Sequence, residues 1–463
     1  MQTAVVLFTR DLRVHDHPAL VAACEEAECV MPLFVFDDAA LARPIACPNK
    51  VAFLLDAVRD LASTVRELGG ALVTRRGSWA GEVAEVVAET GAGAVFCSDD
   101  SSAFAQRRLQ ALREALRLGA SVEVHALPGI TVVPPAALAT TSGGHYKVFT
   151  PYWRRWEAAG HRRPLPPPEA LPVPPAQRAR TGSVPALGDL VPRATSPELP
   201  RGGETAGRAL LDAWTGSRGG VGGYADGHDD LAGDATSRLS PYLHLGCVSP
   251  AEIAARLWRD HADDDPGARA FLRQLCWRDF YHQLLAATPQ ASWRDWRTQG
   301  DDWDTDEDHL RAWKAGRTGY PIVDAGMRQL ACEGWMHNRA RLIVASFLTH
   351  DLYLDWRAGA AHFLDLLVDG DIANNQLNWQ WVAGTGPTSR RNRVLNPLRQ
   401  ADRYDPEGDY VRRWVPELRS IPGPAVHRPW TLPPKTRATL DYPDPIVDHD
   451  DATAAFLQAR GKR

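Results

Sequence analysis

No stretch of about 18 or more uncharged apolar residues occurs anywhere in the 463-residue chain, which argues against a membrane-spanning helix. No basic-then-apolar leader opens it either: the strand-like run AVVLF begins at residue 4. A cytoplasmic protein is the expectation. The seven cysteines (24, 29, 47, 97, 247, 276 and 332) form no CxxC pair and are odd in number, so they read as reduced thiols, with neither a disulfide framework nor a zinc site. No GxGxxG follows the first strand, which removes the dinucleotide fingerprint. No internal repeat is present. An excess of positive charge is also missing. The net charge of −5 speaks weakly against a nucleic-acid partner, although a basic patch can be local.

Prolines and tryptophans are plentiful and unevenly placed. Residues 1–130 alternate strand-like runs (AVVLF, MPLFVF, ALVTR, GAVFC, VEVHAL) with helical ones (HPALVAACEEAE, KVAFLLDAVRDLASTVREL, WAGEVAEVVAETG). Strands separated by helices predict a parallel, Rossmann-like α/β sheet. Residues 131–202 read as a connector, proline-rich from about 161, because proline at that density excludes helix and sheet interiors. From 203 to 463 helical periodicity dominates and predicts an all-α domain. Nine of the 16 tryptophans lie between Trp277 and Trp381, more than packing alone calls for; aromatic clusters stack cofactors and bases, and they relay electrons.

Four segments carry chemistry. On a helix, Gln274, Trp277, Arg278 and Tyr281 fall at i, i+3, i+4 and i+7, joining an amide, an indole and a guanidinium on one face; an amphipathic helix with no ligand reads equally well. In GWMHNRARLIVASFL, Asn338 and Arg341 share a face and Arg339 lies to the side. DGDIANNQLNWQW adds Asp369, Asp371, Asn374, Asn375, Trp379 and Trp381, and either aspartate can serve the carboxylate need of a buried Arg341. TSRLS gathers hydroxyls and backbone N–H groups where a helix begins, which is a phosphate site or a plain N-cap. The run SRRNRVLNPLRQADR sets Arg390, Arg391, Arg393, Arg399 and Arg403 against the single acid Asp402; alone it reads as a solvated loop.

Taken in order, these segments resemble the photolyase/cryptochrome family, and within it the class I cyclobutane pyrimidine dimer photolyases. The resemblance spans nearly the whole chain. It rests on FTRDLRVHDHPAL, FTPYWRRW, TSRLSPYLHLGCVSP, WRDFYHQ, TGYPIVDAGMRQL, GWMHNRARLIVASFL, DWRAGAAHF, DGDIANNQLNWQW, VLNPLRQ and RRWVPEL. It implies an α/β antenna domain and an all-α domain holding FAD. Tyr224, Thr236, Ser237, Arg238, Leu239 and Ser240 would then contact the FAD phosphates and adenosine. Arg341, Asp369 and Asp371 would serve its ring and ribose, and Asn375 would face flavin N5. Trp379, Trp356 and Trp303 match the proximal, medial and distal members of an electron relay.

Damaged DNA is the implied partner, with no membrane and no obligatory protein partner. Trp277 and Trp381 would pack on a flipped dimer, which costs least to extrude where pairing is already damaged. Gln274, Arg278, Tyr281, His228, Asn338, Arg339 and Gln400 would contact lesion or DNA. An antenna pigment by Phe34, Asp37, Lys50 and Asp99 is implied: 8-hydroxy-5-deazaflavin is favoured, with folate or FMN as alternatives.

Three positions depart from the family pattern. Gln274 stands where dimer photolyases carry Glu; its amide donates a hydrogen bond but gives up no proton. His228 replaces an Arg and grips phosphate less well. SRRNRVLNP replaces an aromatic-rich lesion loop. Six-four photolyases have His where this chain has Asn338, so six-four repair is not expected. Light-driven repair of cyclobutane dimers is the expected function. The alternative is a cryptochrome-like blue-light photoreceptor with weak or no repair. A nucleotide-binding α/β protein without photochemistry fits residues 1–130 alone.

Overall fold

A computed structural model of the chain describes residues 1–119, 122–140, 143–172, 181–217, 220–260, 265–388 and 391–461. The chain folds into two compact units. The first comprises residues 1–194, 200–222 and 237–289; the second comprises 195–199, 223–236 and 290–463. The chain therefore passes between units after Ala194, Leu199, Gly222, Thr236 and Pro289, and one of these crossings falls inside TSRLS.

The first unit holds the expected sheet. Strands β1 (Thr3–Phe8), β2 (Cys29–Asp37), β3 (Val73–Gly77), β4 (Ala94–Ser98) and β5 (Glu123–Leu127) are all parallel, in the order β3-β2-β1-β4-β5. Val5 of β1 pairs with Met31 of β2 on one side and Val95 of β4 on the other. Every residue of β1 and β4 is buried, as continuous apolar runs in a sheet covered on both faces should be. Between the strands run α1 (Pro18–Glu26), α2 (Pro48–Glu67), α3 (Trp79–Thr90) and α4 (Ala103–Gly119). The helix α3 stops at Gly91, whose φ of 66° favours a residue without Cβ.

The proline-rich connector does more than link. Leu171 N–H donates to the carbonyl of Leu68, which ends α2, and Gly182 N–H to the carbonyl of Thr74 in the edge strand β3, so the connector is tied to the first unit at both points. Two later helices belong to the same unit, α5 (Phe149–Ala158) and α6 (Pro266–Ala287); the latter is capped by Asp265, whose carboxylate accepts from the N–H groups of Gly267 and Ala268.

The second unit contains α7 (Glu307–Ala315), α8 (Pro321–Glu333), α9 (Asn338–Ser346), α10 (Trp356–Leu366), α11 (Ile372–Ala383), α12 (Pro397–Tyr404) and α13 (His449–Ala459). A π-helical turn, Phe347–Asp351, follows α9. Side chains start six of these helices: Asp306, His337, Asp355, Asp371, Asn396 and Asp448 each accept backbone N–H groups of the first turn. Their common core includes Trp313, Val344, Leu348, Trp356, Phe363 and Trp379. Among the described residues no helix is long and apolar enough to cross a membrane, and no group of three His, Cys, Asp or Glu side chains could hold a metal ion.

Candidate functional site

A pocket opens inside the second unit where α9, α10 and α11 converge. Asn338, Arg341, Asp369, Asp371, Asn375 and Trp379, all singled out by the sequence, line it together. Asn338 and Arg341 share the first turn of α9, as their spacing requires. The Arg341 guanidinium donates through Nη2 to Asp369 Oδ2 (2.8 Å) and through Nε to the Met336 carbonyl (2.8 Å). Asp369, only 3% exposed at its side chain, is thus the carboxylate that a half-buried guanidinium needs. Asp371 has a different task. It caps α11, accepting from Asn374 N (2.9 Å) and Asn374 Nδ2 (2.8 Å).

Asn375 is buried. Its Nδ2 donates to the Ala360 carbonyl (3.1 Å) and to Gln376 Oε1 (2.9 Å). The end of the amide left over is therefore its carbonyl oxygen, which meets no donor among the described residues. The pocket accordingly offers a guanidinium, a carboxylate and an acceptor amide around apolar walls formed by Leu342, Phe363 and Val382. A second sign of a missing ligand lies in the segment 223–236 of the same unit: Thr236 Oγ1 is buried without a partner among the described residues.

Sequence reasoning missed Asn378 and the apolar walls. Asn378 also lines the pocket, and the signal existed: 371, 374, 375 and 378 fall at i, i+3, i+4 and i+7 on one face of α11. Trp379 closes the pocket floor and is 2% exposed; its ring lies edge-on to Phe363 (5.0 Å) and Trp313 (6.0 Å). Trp356, fully buried, begins α10. A methyl group added at Gly359, one turn along the same face of α10, would lie 2.3 Å from Trp379 Cη2. The two indoles therefore border the same helix face. Trp303 is half-buried, 5.1 Å from the Tyr353 ring, with the Arg460 guanidinium 5.9 Å above it.

Two of the expected DNA contacts in this unit are occupied internally. Arg339 makes a fork onto Asp229, Nε to Oδ1 (3.1 Å) and Nη2 to Oδ2 (2.6 Å), and lies 4.4 Å over the Tyr404 ring. Its donors go to a carboxylate of the 223–236 segment, and that pairing ties the segment to α9 and α12. His228 turns Nδ1 toward the carbonyls of Tyr224 (2.8 Å) and Ala225 (3.0 Å) and stacks on the Tyr224 ring. Carbonyls only accept, so Nδ1 is the donor to them, and Nε2 lies 3.8 Å from Asp229 Oδ1. Other candidates stay accessible. Trp381 and Gln400 are half-buried, and Arg391, Arg393, Arg399 and Arg403 are exposed; Arg390 lies outside the described residues.

The first unit holds the remaining candidates. Along α6, Gln274 is exposed, Trp277 half-buried and Tyr281 buried at 3% exposure. The expected binding face thus runs from solvent into the core rather than presenting four ligand groups. Arg278 is committed to backbone: its Nη1 donates to the Ile130 carbonyl (2.7 Å) and its Nη2 to that of Leu243 (3.3 Å). Trp277 stacks face to face on Phe149, centroids 3.6 Å apart and planes within 2°, which fixes the indole. Ser237 and Leu239 are buried, Arg238 takes a positive φ of 48°, and Ser240 opens a short helix ending at His244. Near the sheet, Phe34 and Asp37 are buried in β2, with Asp37 paired to Arg108 (3.1 Å). Lys50 is buried beside Cys47, whereas Asp99 is exposed and receives Gln106 Nε2.

Two family models match the chain: DNA photolyase over residues 4–173, and the FAD binding domain of DNA photolyase over residues 271–462. A deoxyribodipyrimidine photo-lyase of Streptomyces griseus is 53% identical over 462 residues, covering all of both chains. A cryptochrome DASH of Gloeobacter violaceus is 34% identical, over 98% of this chain and 95% of that one. Among solved structures, a bacterial class III photolyase from Agrobacterium tumefaciens superposes with a TM-score of 0.91 at 35% identity, covering 100% of this chain and 97% of the other.

Proposed function

This chain belongs to the DNA photolyase family as an FAD-binding photo-lyase, and on that premise we propose that it repairs cyclobutane pyrimidine dimers in DNA by light-driven electron transfer. The observation that carries the reading is the pocket in the second unit, where Asn375 turns an unmet carbonyl oxygen inward beside the Arg341–Asp369 pair. FAD, once bound and reduced, supplies the electron on absorbing light. Arg341, Asp369, Asp371, Asn375 and Thr236 are the groups to hold it. Asn375 would hold the ring through its Oδ1, an acceptor for an N–H that supplies no acid, so it would keep a proton in place and add none.

The remaining roles belong to exposed or half-exposed groups. Trp277 on the first unit and Trp381 on the second are each a candidate base platform, and stacking on either is worth ~1–3 kcal/mol. Gln274 donates its amide hydrogen to a base carbonyl, and Asn338 lines the pocket of the second unit. Arg391, Arg393, Arg399 and Arg403 neutralise phosphates, with Gln400 beside them. Trp379, Trp356 and Trp303 pass electrons inward to keep the cofactor reduced. An antenna pigment, for which we propose an 8-hydroxy-5-deazaflavin, would sit at the carboxyl ends of the sheet strands, the usual place for ligands in such folds.

Two observations favour a second reading, a blue-light photoreceptor with little repair. Gln274 cannot give a proton to a reacting base, and His228 spends its Nδ1 hydrogen on backbone carbonyls. The test uses photoreduced protein and an oligothymidine carrying cyclobutane dimers. Absorbance recovery of the thymine band under blue light, absent in the dark, is the expected result. A flavin that photoreduces without any recovery would overturn the repair reading in favour of the photoreceptor.

A further inference from the structure

The medial tryptophan sits in an unusual environment. Trp356 is fully buried, yet its indole Nε1 donates to a carboxylate, Asp295 Oδ1, at 2.9 Å. Arg357 holds that carboxylate in place. Its Nη2 reaches the same Oδ1 (2.8 Å), its Nε donates to the Trp293 carbonyl (2.9 Å) and its Nη1 to Asp355 Oδ1 (3.0 Å). The guanidinium also lies 4.7 Å over the Trp356 ring. One cation and two carboxylates surround this end of the indole, and the group in direct contact with its N–H is an anion. Among the described residues, by contrast, the Trp379 indole makes ring contacts but no hydrogen bond.

We propose that Asp295 is a positioning residue for the electron relay, one that makes Trp356 easier to oxidise than Trp379 and so drives the first step outward. The inference rests on the relay reading given above. Trp379 gives one electron to the cofactor under light. Trp356 then passes one electron to oxidised Trp379, which becomes neutral, and Trp356 is left as a radical cation. An indole that loses an electron becomes a far stronger acid at its N–H. The hydrogen bond to Asp295 therefore shortens, and the positive charge settles against the carboxylate; no other bond forms or breaks. A charge-assisted hydrogen bond outweighs a neutral one, and it does so most where water is excluded, as around a fully buried ring. Uncompensated, Arg357 over the ring would oppose oxidation. Its pairing with Asp295 and Asp355 cancels that effect while fixing the acceptor.

The variant Asp295→Asn keeps an acceptor oxygen and removes the charge. In flavin-loaded protein, transient absorption after a light pulse should show the yield of the long-lived tryptophan radical falling about tenfold, equivalent to ~1.4 kcal/mol. Asp295→Glu should restore most of it. A readout in the dark accompanies this: the indole N–H proton resonance of Trp356, assigned by its loss in Trp356→Phe, should move upfield in Asp295→Asn. Wild-type radical yield in Asp295→Asn, alongside a collapsed yield in Trp356→Phe, would overturn the role of Asp295 and leave the relay standing. An undiminished yield in Trp356→Phe would overturn the relay itself, and this inference with it.

Discussion

Arg339 and Arg393 look interchangeable along the chain and differ in what remains available to a ligand. The Arg339 guanidinium donates to Asp229, and its flat face is covered by Tyr404. Arg393 is exposed on the segment before α12. Phosphate neutralisation displaces counterions, so each lost contact flattens the salt dependence of duplex binding by ~0.9 in the slope of log affinity against log salt. Arg393→Gln should show that reduction in a salt titration by fluorescence anisotropy. Arg339→Gln should leave the slope unchanged and instead loosen the 223–236 segment, measured as faster proteolysis there. A reduced slope for Arg339→Gln would mean that Asp229 releases the guanidinium to DNA.

At the scale of single elements, α10 and α11 make the pocket floor, and one glycine sets how closely they approach. In an exposed helix interior, Gly→Ala stabilises by roughly 1 kcal/mol, because alanine is the better helix former. At Gly359 the new methyl group would meet Trp379 Cη2 at 2.3 Å and Leu348 Cδ2 at 2.5 Å, both inside the core. Overpacking of this kind costs ~1–3 kcal/mol, so the sign reverses. Urea denaturation of Gly359→Ala should give a lower midpoint with an unchanged slope, and stabilisation would show that Trp379 is free to move. The elements themselves were legible: five strands and the helices between them follow from apolar runs and 3.6-residue periodicity. Asn338, Arg341 and the acids downstream were readable as partners because helical spacing puts them on common faces. Asp229 and Asp295 were not, since their importance comes from partners far off in the chain: Arg339, 110 residues from Asp229, and Trp356 and Arg357, 61 and 62 residues from Asp295. Arg278 misled for the opposite reason: helical phase tells which face a side chain leaves from, not which carbonyl it finds.

For the whole molecule, composition distinguishes a sheet region from a helical region, whereas compactness depends on what each apolar face packs against. Helix α6, helical in pattern, belongs with the sheet, and the short segment 223–236 belongs with the later helices. The second unit gathers buried and half-buried histidines, and they set its acid limit. Burial holds His337 and His362 down to about 4, and burial with Arg460 nearby takes His350 to about 3. An unfolded chain protonates each near 6.5, so between pH 6.5 and those values it binds protons that the folded unit refuses. Stability must then fall as pH falls through that window. Asp351, pushed up to about 6 by burial, its partner His449, also shifted upward, and Asp324 and Asp405, both raised by burial, act in the opposite direction. The histidines dominate between pH 7 and pH 5, because the unfolded chain begins to protonate them near 6.5 whereas Asp351 takes up its proton only from about 6 downward. Calorimetry should find the melting midpoint at pH 5 below that at pH 7 by roughly 5 °C or more. Replacing His350, whose Nε2 meets no partner among the described residues, with Gln should narrow that difference. An equal or higher midpoint at pH 5 would mean that the raised groups, Asp324, Asp351, Asp405 and His449, and not the depressed histidines, govern the acid side.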